Sequence, residues 1–244
     1  MRLLFIRHGD PDYERDTLTE KGRREADYLA ERLSKLDIAA FYVSPLGRAK
    51  DTAAPTLARM GRQAEELDWL REFHAPIFDR PDAVGLERVP WDWLPQDWTA
   101  VDDFYLPGRW HRHPVLEAGH VKEEYDRVTR ALDGLLARWG YVRQGRLYRA
   151  EQPNRDTLAL FCHFGVETVL LSHLLSVSPM PLLHGLCAAP SSVTTVVTEE
   201  RRQGIASFRI GAFGDVSHLY IHGEPPAFSA RFCETFDDRT ERHD

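Results

Sequence analysis

Leu3 to Ile6 form an unbroken apolar run that stops at Arg7, His8 and Gly9. A short apolar run bounded by turn residues predicts a strand over residues 2–6, covered on both faces. The next segment, LTEKGRREADYLAERLSKL, sets Ala26, Leu29, Ala30, Leu33 and Leu36 at helical spacing, with Thr19 in place as N-cap. The alternation then repeats. AAFYV reads as a second strand, and SPLGRAKDTAAPTLARM as a helix with Ser44 as the natural N-cap and Pro45 at the first helical position. Strands alternating with helices predict an α/β fold.

Between about 74 and 118 the periodicity dissolves into a stretch that holds four of the six tryptophans and several prolines. A long irregular segment in a compact domain is usually a lid or binding loop, so we read it as a cap inserted over the site. A long helix follows over roughly HVKEEYDRVTRALDGLLARWG, then the apolar run DTLALFCHFG and the helix VETVLLSHLLS. SSVTTVVTEE and IASFRIGAF are β-branched and alternating, which predicts two late strands paired at one sheet edge. The tail after Gly223 reads as loosely ordered. At 244 residues these elements suit one domain over 1–244 with one insertion.

Composition narrows the function classes. Hydrophobic residues make up 43% and charged residues 28%, ordinary for a soluble globular protein, and no apolar run approaches the ~18 residues of a membrane helix. The first residues turn charged too early for a signal peptide. Cys162, Cys187 and Cys233 show no paired spacing, which fits a reducing cytoplasm. A net charge of -7 argues against nucleic acid as a partner, so any anionic ligand must be held by local positive charge.

Two places share a pattern: LLFI leads into Arg7-His8-Gly9, and LALFC into His163-Phe164-Gly165. Ligands of open α/β sheets bind beyond the carboxyl ends of the strands, so both histidines are expected at one rim. Arg48 lies four residues past Ser44, one turn into a helix whose N-terminus offers free N–H groups and a positive dipole end. Two guanidiniums, a helix start and two imidazoles describe a pocket for phosphate rather than for a metal. Clustered positive charge is expected to keep His8 neutral and nucleophilic, and Gly9 to let backbone approach a bound oxyanion.

Arg7-His8-Gly9, LTEKGRREA, SPLGRAKDTA with Arg48, LREF with Glu72, and Cys162-His163-Phe164-Gly165, in that order over residues 1 to about 198, resemble the histidine phosphatase superfamily, the phosphoglycerate mutase-like proteins. The resemblance implies a three-layer α/β/α sandwich with a mostly parallel central sheet, a small phosphorylated substrate and no metal or cofactor. It implies His8 as the nucleophile that takes up the phosphoryl group, and Arg7, Arg48 and His163 as phosphate-binding and transition-state-stabilising groups. Glu72 is implied as general acid, with Asp10, Asp12 or Glu117 as substitutes should it point away. Phe164 stands where the family commonly has glycine, so the backbone contact to phosphate is altered there. Asp10-Pro11-Asp12 departs from the glycolytic mutases and favours a phosphomonoesterase. A phosphomutase and a non-catalytic phosphate-binding or protein-binding module remain the alternatives.

Trp91, Trp93, Trp98 and Trp110 suit either a substrate pocket or a small core of the cap. Arg109, His111, Arg112 and His113 form a basic cluster suited to a second anionic group or to a solvated face. Cys162 reads as a packed small residue.

Overall fold

The computed structural model describes residues 1–227, 229 and 234–238. The expectation of a loosely ordered tail concerns in large part residues outside that set, Cys233 among them. Strand β1 (Arg2–Arg7) is followed by a two-residue-per-strand hairpin, β2 (Pro11–Asp12) and β3 (Thr17–Leu18), then α1 (Glu20–Leu33), β4 (Ala40–Val43), α2 (Gly47–Met60) and β5 (Glu65–Glu66). The 74–118 segment carries two short helices, α3 (Pro95–Thr99) and α4 (Pro114–Ala118). After it come α5 (Val121–Arg138), β6 (Tyr141–Gln144), β7 (Leu147–Ala150), β8 (Thr157–Cys162), α6 (Phe164–Leu175), α7 (Pro179–Gly185), β9 (Val193–Arg202), β10 (Ile205–Asp215) and α8 (Ser217–Ile221).

Eight strands form one sheet in the order β5-β4-β8-β1-β9-β10-β7-β6. β5, β4, β8 and β1 are parallel neighbours, and each of the next four strands runs against the one before it, so six of the eight share one direction. The sheet is thus mostly parallel and large. β1 lies in its middle, which is why its apolar run is continuous. Leu3 and Phe5 enter a core shared with α5, α6 and the cap, while Leu4 and Ile6 enter the opposite core, with Leu29 and Leu33 of α1 and Ala49 and Ala53 of α2. Helices therefore cover both faces, as a three-layer sandwich requires.

β9 and β10 pair as expected but sit inside the sheet, not at its edge. The edge is the β6–β7 hairpin in YVRQGRLYRA, whose two-residue turn opens on Gly145 at φ +62. A positive φ at the first turn position is the requirement of a tight hairpin turn, and glycine meets it without strain. In the cap, Trp91, Trp93 and Trp110 are 7%, 4% and 2% exposed and join the main core, with Trp98 packed half-buried against it. The 74–118 segment is thereby an extension of the core. Among the described residues no helix is long and apolar enough to cross a membrane.

Candidate active site

Three parallel strands deliver the site. β4, β1 and β8 end at one rim, and the residues just past or at their ends are Ser44, Arg7-His8 and His163. The His8 backbone is pinned on several sides. Its N–H donates to Cys162 O (3.0 Å), its carbonyl accepts from Ser191 N–H (2.9 Å), and the next N–H, of Gly9, donates to Thr52 Oγ1 on α2 (2.9 Å). The side chain is 1% exposed, and its Nδ1 lies 2.7 Å from Gly9 O. A carbonyl only accepts, so the neutral ring carries its hydrogen on Nδ1 and leaves the Nε2 lone pair free. Burial, then the charges of Arg7 and Arg48, hold His8 well below the usual histidine range, against the pull of the Gly9 carbonyl. It is neutral, as the sequence suggests, but desolvation outweighs the clustered charge as the cause.

His163 is fully buried, its ring 5.1 Å from that of His8. Its Nε2 lies 2.8 Å from Ser44 Oγ, which also accepts from Leu46 N–H at 3.2 Å. The Ser44 proton is thus left for Nε2, and the neutral His163 ring carries its hydrogen on Nδ1, buried without a partner. Ser44 is therefore not the cap of α2, which begins at Gly47 after Leu46. Pro45 holds the preceding Ser44 extended, and the hydroxyl turns to His163 instead.

Arg7 donates from Nη1 to Ala188 O (2.5 Å) and from Nη2 to Ser229 O (3.1 Å), with Phe164 6.0 Å from its guanidinium carbon. Arg48 donates to Asp16 Oδ1 at 2.5 Å and lies under the exposed Tyr13 ring at 5.4 Å. The start of α2 is not free, as the sequence reading expects, because Asp16 Oδ2 accepts from Gly47 N–H at 2.7 Å. Asp16 stands at φ +49, in the turn between β2 and β3, and nothing in local sequence marks it. Asp16→Ala removes both bonds. We expect a loss of about 1 kcal/mol in denaturant unfolding and a roughly tenfold lower kcat/KM on a phosphomonoester, as Arg48 loses its brace. Unchanged kcat/KM would refute the bracing role.

Glu72 does not point away into solvent. Its Oε1 accepts from Phe73 N–H (2.8 Å) and Val166 N–H (3.1 Å), so it closes the N-terminus of α6 directly behind His163. Burial raises its pKa above the usual carboxylate range, against the backbone N–H groups and Arg7. The possible substitutes are engaged or remote: Asp10 bonds Thr19 Oγ1 (2.7 Å) and Ser229 Oγ (2.8 Å), Asp12 pairs with Arg15, and Glu117 is exposed on α4. Gly9 lies close against α1, where an added Cβ would sit 2.8 Å from Gly22 O. The basic cluster stays within the cap. Arg109 pairs with Asp103 at 3.6 Å, His113 caps α4 against Trp93 and Phe104, and His111 packs on Trp110. Among the described residues no three His, Cys, Asp or Glu side chains converge as a metal site.

One buried carboxyl behind the site was not anticipated. Glu167 is 1% exposed, and burial pushes it up to about 8, with the Thr194 hydroxyl and Arg7 opposing and Glu72 adding to the shift. The folded chain then keeps a proton that the unfolded chain releases above about 4.5, so this group lowers stability progressively as pH rises through that window toward 8. Glu167→Gln is expected to unfold at higher denaturant than the parent at pH 9, by on the order of 4 kcal/mol, with little difference at pH 4. Parallel stability profiles for the two proteins would refute it.

Arg7 Nε, Arg48 Nε and His163 Nδ1 are buried donors without a partner among the described residues, and the charges of both arginines act on His8 and on His163. Each such donor costs about 1–3 kcal/mol when left unpaired, a cost that a tetrahedral anion accepting from all three would remove. A family model described as the histidine phosphatase superfamily (branch 1) matches residues 3–210. The chain belongs to this superfamily. Among its relatives, a probable phosphatase of Schizosaccharomyces pombe is 26% identical over 235 residues, covering 90% of this chain and 95% of that protein. A 2,3-bisphosphoglycerate-dependent phosphoglycerate mutase of Thermoplasma acidophilum is 42% identical over only 60 residues, 20% of this chain and 30% of the mutase. The chain thus matches less than a third of that mutase's length. Of solved histidine phosphatase folds, a mycobacterial glucosyl-3-phosphoglycerate phosphatase superposes with TM-score 0.58 at 22% identity, covering 87% and 98% of the two chains. A phosphoserine phosphatase of Entamoeba histolytica superposes with TM-score 0.57 at 16% identity, covering 89% and 98%.

Proposed function

We propose that the chain, acting as one unit with the 74–118 segment as its cap, is a cytoplasmic, metal-independent phosphomonoesterase that hydrolyses a small phosphate ester through a phosphohistidine on His8. The observation that carries this reading is the His8 Nε2 left free by the Nδ1 bond to Gly9 O, beside His163 and under the charges of Arg7 and Arg48, whose Nε atoms are buried and unpartnered among the described residues. The phosphate oxygens accept from Arg7, Arg48 and His163 while Nε2 attacks phosphorus in line with the ester bond. The N–P bond forms as the P–O bond breaks, and Glu72 gives its proton to the departing alkoxide. Water then attacks the phosphohistidine, the Glu72 carboxylate takes up its proton, and inorganic phosphate leaves with His8 neutral again. Phe164 shapes the pocket from the Arg7 side.

Single-turnover labelling tests the reading. A radiolabelled phosphomonoester in the presence of chelator should give a transient acid-labile, alkali-stable label on the protein, followed by inorganic phosphate. Tight phosphate binding without label would indicate a binding module, and label passed to an isomerised ester instead of water would indicate a mutase.

A further inference from the structure

Two consecutive peptides aim the nucleophile. The His8–Gly9 peptide is held at both ends, its carbonyl by the Ser191 N–H (2.9 Å) and its own N–H by Thr52 Oγ1 (2.9 Å). In the next peptide the Gly9 carbonyl lies 2.7 Å from His8 Nδ1, and the Asp10 N–H donates to Glu25 Oε2 at 2.8 Å. Gly9 has no Cβ to restrict rotation between the two peptides, so the direction of its carbonyl depends on these outside partners. The tautomer and aim of the His8 ring depend on them in turn. Thr52 and Glu25 project from the long helices α2 and α1. Ser191 comes from a loop and needs support of its own.

That support is a buried histidine. Ser191 lies between α7 and β9, fully buried and at φ +61. A serine in that region is strained and persists only where its surroundings dictate it. Its neighbours bind Arg7: Ser192 O accepts from the Arg7 N–H (3.1 Å), and Ala188 O from Arg7 Nη1 (2.5 Å). The Ser191 hydroxyl itself lies 3.1 Å from Nε2 of His218, the second residue of α8. His218 is 2% exposed, and its Nδ1 is buried without a partner among the described residues. Burial, then the charge of Arg32, holds it down to about 4, so it meets Ser191 as a neutral ring at neutral pH. A buried imidazole with one idle nitrogen costs stability that an apolar side chain would not, and the adjacent Leu219 shows that α8 also packs through such residues.

We propose that His218 is a positioning residue: through the Ser191 hydroxyl it keeps the Ser191 N–H on the His8 carbonyl, and so holds His8 Nε2 in line with the phosphoryl group. In its effect on rate this rests on the phosphatase reading; in its effect on the His8 ring it does not. Ser191→Ala removes the hydroxyl, and His218→Leu the ring that holds it. Each should lower kcat on an alkyl phosphate about tenfold with KM within about twofold, because Arg7 keeps its bond to the Ala188 carbonyl. His218→Gln, whose amide reaches the place of Nε2, should recover most of the rate.

The double variant separates positioning from packing. Replacing both partners of a buried hydrogen bond by apolar groups leaves stability near that of the parent. Ser191→Ala with His218→Leu should therefore unfold close to the parent's denaturant midpoint yet stay about tenfold slow, with no loss beyond that of either single change. A double variant as fast as the parent, or rates that follow stability across the set, overturns the proposal. Should His218→Leu fail to fold, Ser191→Ala and His218→Gln carry the same comparison. Nitrogen-15 shifts of the His8 ring, assigned by their loss in His8→Ala, read the geometry without turnover. The parent should show one neutral tautomer with its hydrogen on Nδ1, and Ser191→Ala a mixture of the two. That pair of spectra from a protein that hydrolyses no phosphomonoester overturns the phosphatase reading and upholds the positioning. Hydrolysis with rate and tautomer unchanged in Ser191→Ala does the reverse.

Discussion

His8→Ala lowers kcat on every phosphomonoester by a factor on the order of 10⁴ or more, while affinity for inorganic phosphate stays within a few-fold of the parent. On the proposed mechanism the effect is that large because a covalent route is removed, not merely a contact. His163, with its ring centre 5.1 Å away, cannot replace the nucleophile: Ser44 holds its Nε2, and its Nδ1 carries the hydrogen that the phosphate oxygens need. Binding survives because Arg7, Arg48 and His163 are each fixed by other partners, Ala188 and Ser229, Asp16, and Ser44. Stopped assays with an alkyl phosphate, beside phosphate titration of the same preparation, check both halves. Retention of more than about a hundredth of the parent rate would show that the phosphoryl group does not pass through His8.

Glu72→Gln costs about 10²- to 10⁴-fold in kcat on alkyl phosphates and far less on p-nitrophenyl phosphate, whose leaving group departs without a proton. Glutamine isolates the proton from the architecture, since its carbonyl oxygen can still accept from Phe73 and Val166 N–H and close the start of α6. The pH profile separates the same roles. Because burial raises Glu72, the acid stays protonated above the ordinary carboxylate range, and the parent's rate on alkyl esters falls on the alkaline side as that proton is lost. His8 is held well below the usual histidine range, so the nucleophile is not lost as pH drops through 6.5. The variant should lack the alkaline fall, and equal losses on the two leaving groups would remove Glu72 from the proton-donor role.

The strand ends were legible in the sequence because LLFI and LALFC stop abruptly at the same kind of charged or aromatic triplet, and adjacent parallel strands must put such ends together. Arg48 was legible as a cation near a helix start, though it is the second residue of α2 and not one turn in. What decides their chemistry was not. Asp16 acts from a left-handed turn with no periodicity, and its reach to Gly47 and Arg48 depends on how the β2–β3 hairpin docks. Ser44 looked like a cap because Ser-Pro commonly opens helices, but proline also keeps its predecessor extended. That property marks Ser44 as the end of a third parallel strand. The tryptophans of the 74–118 segment could not be assigned from order alone, because buried and exposed positions alternate within three residues: Trp91 and Trp93 are inside, and Asp92 is out.

The place of β1 bears on how the chain is made. All six of its residues pair with Thr157–Cys162 on one side, and the first five, Arg2–Ile6, with Val193–Val197 on the other. During synthesis β1 has no sheet partner until β8, about 150 residues later in the chain, has emerged, and no second one until β9 follows. An apolar strand kept open that long is an aggregation hazard and a natural substrate for chaperones. His8 cannot acquire its backbone tether to Cys162 before then, so this histidine is fixed in place only when the fold is nearly complete.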